Sequence, residues 1–64
     1  MAIVIDKYSN DRVDITLYRL FDGSGLVQIR DATNKQITLS KETEDVELGY
    51  SLFKELVIRE KESK

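Results

Sequence analysis

The hydrophobic pattern changes period at Ser40. Before it, apolar residues alternate: Val13, Ile15 and Leu17, then Val27 and Ile29, then Ile37 and Leu39. After it, apolar or small residues recur at helical spacing: Val46, Gly49, Leu52, Phe53, Leu56 and Val57. A period of two puts alternate side chains on one face of a strand, and a period near 3.6 draws one stripe along a helix. The pattern predicts an α+β fold: an antiparallel β-meander of three to four strands, then one long C-terminal amphipathic helix packed on one face. The choice of acidic residue agrees independently. All six Glu follow Ser40, whereas five of the six Asp precede it. Glu favours helices, and Asp favours turns and caps.

Four strands are expected, from Ala2 to about Tyr8, Arg12 to Leu20, Leu26 to Arg30 and Gln36 to Leu39. Turn clusters separate them at Ser9-Asn10-Asp11, Asp22-Gly23-Ser24-Gly25 and Asp31-Ala32-Thr33-Asn34-Lys35. Short connections favour antiparallel neighbours, hence a meander. The first strand has two options: a hairpin with the second, or pairing along a partner's sheet edge. The helix is expected over about 41–60 with Ser40 as its N-cap. Glu42, Glu44, Asp45 and Glu47 complement its positive end, Arg59, Lys61 and Lys64 its negative end, and Glu55–Arg59 is a favourable i,i+4 pair.

On a helical wheel, the arc from Leu48 through Leu52, Leu56, Gly49, Phe53 and Val57 to Tyr50 is about 200° wide, and Ile58 lies outside it. A surface helix needs a stripe of only about 100°. Twenty helical residues would span about 30 Å, against about 17–20 Å for strands of five or six residues. Breadth and overhang point to a second chain, with Tyr50, Val57 and Ile58 the candidate self-association residues of a homodimer. Glycine within a helix costs about 1 kcal/mol relative to alanine. Gly49 is therefore expected to allow close approach of the helix backbone, either under a bulky sheet residue such as Phe21 or Leu17 or against another helix.

The chain has 64 residues and no cysteine, histidine or proline. Disulfides and the usual zinc, iron–sulfur and haem sites are thereby excluded, and no cofactor or metal is expected. The common catalytic bases and nucleophile pairs are missing too, so a non-enzymatic role is expected. No apolar run approaches the ~20 residues of a membrane span, and a cytoplasmic protein is expected. Net charge is −2 with 34% charged residues, without the basic excess of a duplex-binding protein.

If Val13, Ile15 and Leu17 face the helix, then Asp14, Thr16, Tyr18 and Leu20 face outward, joined by Gln28, Arg30, Gln36 and Thr38. Tyr18, Leu20 and Arg30 are the candidate partner-binding anchors, since Tyr and Arg are enriched at protein interfaces. Tyr18 and Arg30 could instead stack a base, which makes single-stranded nucleic-acid binding the alternative. A small structural subunit of an assembly is a third reading. The stretch from Gln36 to Leu48, running into Leu52-Phe53 and Leu56, resembles the strand-then-helix ending of short accessory proteins of bacteriophages and mobile elements. That resemblance implies a stoichiometric inhibitor or regulator of a larger host protein, including a defence complex.

Overall fold

A computed structural model describes residues 2–62; the expected cation at Lys64 lies outside them. The elements are β1 (Ile3–Ser9), β2 (Val13–Arg19), β3 (Gly25–Asp31), β4 (Ile37–Thr43) and α1 (Val46–Glu62). The sheet order is β1-β2-β3-β4 with every pair antiparallel, so β1 forms a hairpin with β2, and among the described residues no strand lies on its outer edge. The meander closed by one helix is as the pattern predicts.

Side-chain oxygens shape the connections. Asn10 Oδ1 accepts from the backbone N–H of Arg12 and Val13 at 2.8 and 2.9 Å, closing the first hairpin. At the second, Gly23 adopts φ +90°, a conformation that suits glycine, and Asp22 Oδ1 accepts from Ser24 N and Oγ. At the third, Asp31 Oδ1 accepts from the N–H of Thr33 and Asn34, and Lys35 takes up φ +66°.

The helix crosses β2 and β3 and touches β4 more lightly. Ile15, Leu17 and Val27 below it and Phe53 above are the buried core, flanked by half-buried Tyr8, Val13, Ile29, Leu52, Leu56 and Val57. Gly49 sits over Gly25: an added Cβ on Gly49 would lie 3.0 Å from Leu17 Cδ1 and 3.4 Å from Gly25 Cα. Of the two neighbours anticipated for Gly49, Leu17 is present. Phe21 is not, because it stands at the tip of the second hairpin, 88% exposed.

The strand-to-helix boundary differs from expectation. Ser40, Lys41, Glu42 and Thr43 belong to β4, and Asp45, not Ser40, caps the helix, its Oδ1 accepting from Leu48 N at 2.9 Å. The reason is that periodicity registers burial. Most of β4 lies beyond the helix, so its alternation fades while its hydrogen-bond ladder continues. The lengths change accordingly: 17 helical residues span about 25 Å, and seven-residue strands span about 23 Å. The helix therefore matches the sheet, and the overhang argument for a second chain falls away. Of the broad apolar arc, Leu48 and Tyr50 are exposed, as is Ile58 outside it, whereas Val57 is half-buried against the core.

Glu60 fastens the far end of the helix. Its Oε2 accepts from Arg12 Nη2 at 2.8 Å, Arg12 Nε at 3.0 Å and Asn10 Nδ2 at 3.2 Å. The Arg12 hydrogen bond, helped by Asn10, holds the Glu60 carboxyl below its ordinary range. A carboxyl with a depressed folded-state pKa stabilises fully above its unfolded value, and the effect is lost as pH falls through the folded value. Glu60→Gln is therefore expected to be less stable than wild type at pH 7. That difference should shrink as pH falls below the usual carboxylate range of about 4 and through the lowered folded value. Urea midpoints of both proteins at pH 7 and pH 3 check this; an equal difference at both would refute it.

Candidate protein-binding surface

The strand register sorts the side chains into rows. In antiparallel pairs, directly opposed residues share a face. On the helix side the rows are Asp6–Leu17–Val27–Lys41 and Tyr8–Ile15–Ile29–Leu39. On the other side they are Val4–Tyr18–Leu26–Glu42, Lys7–Thr16–Gln28–Ser40 and Ser9–Asp14–Arg30–Ile37. The single helix lies over the first set, so no described element covers the second.

This open face carries a connected apolar and aromatic row, Val4–Tyr18–Leu26. Its charges balance: Lys7 and Arg30 against Asp14 and Glu42. Asp14 stands directly opposite Arg30. Gln28 Nε2 donates to Ser40 Oγ at 3.3 Å, and Arg30 Nη1 donates to the Lys35 carbonyl at 2.7 Å, tying that guanidinium to the third hairpin.

The anticipated anchors are only partly brought together. Tyr18 and Arg30 are both half-buried on the open face, but they sit two rows apart. At about 3.4 Å per residue, that separates them by roughly 14 Å along the strands, too far to hold one base between them. Leu20 lies past the end of β2, half-buried at the start of the turn, with its N–H donating to Ser24 O at 2.9 Å. Gln36 precedes β4, and Thr38 sits at a register shift with its hydroxyl donating to Ile29 O at 3.2 Å.

Val4 and Leu26 are the residues that alternation alone passed over. Consecutive apolar residues were the available signal. Leu26-Val27 and Ile3-Val4-Ile5 must show apolar side chains on both faces of a strand, because neighbours point opposite ways.

On the helix, Tyr50 and Ile58 line a shallow open groove of about 520 Å³ between the Tyr50–Lys54–Ile58 and Ser51–Glu55–Arg59 ridges. Lys54 Nζ lies 5.2 Å from the centre of the Tyr50 ring, and Arg59 pairs with Glu55 at 3.2 Å as expected. Val57 turns toward the core and does not join that groove.

No family model, curated protein or solved structure matches the chain. Among the described residues, no helix is long and apolar enough to cross a membrane.

Proposed function

We propose that the protein is a non-enzymatic binding module of the cytoplasm. It occupies the surface of a larger protein stoichiometrically, as an inhibitor or regulator. The observation that carries this reading is the uncovered Val4–Tyr18–Leu26 row with balanced charge around it. An apolar row with Tyr, beside a row in which Gln28 and Ser40 are hydrogen-bonded to each other, suits a desolvated protein contact. Binding to a phosphate backbone is driven by a local excess of cations, and this face has none. The resemblance to accessory proteins of bacteriophages and mobile elements supports a host protein or defence complex as the target.

The test compares immobilised wild-type protein with the double variant Tyr18→Ser and Leu26→Ser in capture from a host lysate. Both substitutions leave the core untouched, and circular dichroism checks the fold. Wild type is expected to retain a discrete protein species that the variant retains at least ~10-fold less well, the scale of losing interface anchors. Equal retention by the two, or tight salt-sensitive binding of a single-stranded oligonucleotide instead, would overturn the proposal.

A further inference from the structure

The second hairpin ends in an aromatic ring that its own fold does not use. Phe21 is 88% exposed, while the next most exposed large apolar residue, Val4, stands at 55%. A lone exposed apolar side chain is common and carries no meaning by itself. The turn that presents this one sets it apart. Leu20 N–H donates to Ser24 O and Gly23 N–H donates to Leu20 O, both at 2.9 Å, and Gly23 takes φ +90°. That is the three-residue hairpin loop built on a type I turn followed by a left-handed glycine. Phe21 holds the first central position, which accepts most residues and favours Pro. The turn therefore has no need of a ring there, and the core gains nothing from one in water. Asp22 Oδ1 accepts from Ser24 N at 3.0 Å and from Ser24 Oγ at 2.6 Å. The loop is thus restrained before any contact, which lowers the ordering cost of binding through it.

The ring also borders the apolar row of the open face. The paired register ends on Tyr18 opposite Leu26 and Arg19 opposite Gly25. Leu20, next along and bonded to Ser24, falls on the Tyr18 side by alternation. Half-buried Leu26, Tyr18 and Leu20 therefore lie at this end of the sheet, and exposed Phe21 follows beyond it. Three residues span at most about 11 Å, so one partner can cover row and tip together.

We infer that Phe21 is the protruding anchor of the contact made by the open face, inserted in an apolar recess of the target protein. The inference rests on the binding reading above and adds a shape to the partner: it has a recess that encloses an aromatic ring. A second copy of this chain does not supply one in its helix groove, which is shallow and has Lys54, Glu55, Arg59 and Glu62 among its walls. A bilayer surface favours apolar side chains set among basic ones, whereas Arg19 and Asp22 on either side of this tip cancel and the chain carries net charge −2.

The test uses Phe21→Ser, Phe21→Leu and a full-length protein with the photo-cross-linker p-benzoylphenylalanine at position 21, with position 58 on the helix as control. Phe21→Ser is expected to keep the wild-type denaturant midpoint. It should retain the protein species captured by wild type about 10–100-fold less well, the contribution of burying one Phe side chain, with Phe21→Leu in between. Irradiation should join position 21, and not position 58, to apolar residues of that same species. Full retention by Phe21→Ser, while Tyr18→Ser with Leu26→Ser loses the species, would overturn this inference and leave the binding reading in place. A wild type that captures no discrete species would overturn both. A lowered midpoint for Phe21→Ser would assign the ring to the fold instead. Cross-linking of position 21 chiefly to a second copy, or co-sedimentation of wild type but not Phe21→Ser with phosphatidylcholine–phosphatidylserine vesicles, would overturn the inference in favour of those occupants.

Discussion

Replacing Phe53 with alanine is expected to abolish cooperative folding or to lower the melting temperature by more than about 12 °C. Phe53 is only 4% exposed and joins Ile15, Leu17 and Val27 in the buried core. Gly49, the other buried residue of the helix, has no side chain. Truncating a buried Phe costs about 3–5 kcal/mol. A chain of this size has about 3–10 kcal/mol in total, and each kcal/mol corresponds to about 4–8 °C in a small domain. Thermal unfolding followed by circular dichroism measures the effect, with Phe53→Leu expected to fall in between. A loss of only a few degrees for Phe53→Ala would mean that the helix is held mainly by its ends, through Asp45 and Glu60.

The second large effect is expected at Gly25. An added Cβ there would lie 2.5 Å from Thr43 Oγ1, 2.9 Å from the Asp45 carbonyl oxygen and 3.3 Å from Gly49 Cα. Two of these three are backbone atoms at the turn into the helix, and Thr43 Oγ1 itself donates to the Asp45 carbonyl at 2.7 Å. Relief therefore requires lifting the first turn of the helix off β3. Gly25→Ala is expected to cost about 3 kcal/mol, the upper end of overpacking effects. Gly49→Ala faces mainly side-chain atoms, Leu17 Cδ1 and Thr43 Oγ1, both at 3.0 Å. It also gains about 1 kcal/mol of helix propensity, so its net cost should be much smaller. Denaturant midpoints of both variants decide the matter; a larger loss for Gly49→Ala than for Gly25→Ala would contradict the close approach described here.

These two sites show what was legible in the sequence. Phe53 and Leu17 follow from periodicity, because each lies at the centre of an apolar stripe. Gly25 reads as part of a loop cluster, and its role depends on a contact with Gly49, 24 positions along the chain, that no local pattern encodes. The end of β4 was missed for a related reason. Ser40 to Thr43 form a ladder by backbone hydrogen bonds on an edge, where polar residues are tolerated and periodicity is silent. Asp45 was counted among the dipole-complementing carboxylates, yet it caps the helix because the turn leaves β4 only at Thr43. Of the candidate site, the face of Tyr18 and Arg30 was legible from alternation. Their separation by two rows was not, since it needs the strand register, and the register of β2 against β3 follows from the geometry of the second hairpin.

The proposed surface rests on one imbalance: among the described residues a single helix lies on one face of the sheet and leaves the Val4–Tyr18–Leu26 row on the other uncovered. Capture from a host lysate by the wild type, by Val4→Lys on the open face and by Ile58→Lys on the helix tests it most directly. The wild type and Ile58→Lys are predicted to retain the same discrete protein species, and Val4→Lys to retain it at least ~10-fold less well. Equal retention by all three, or loss with Ile58→Lys alone, would contradict it.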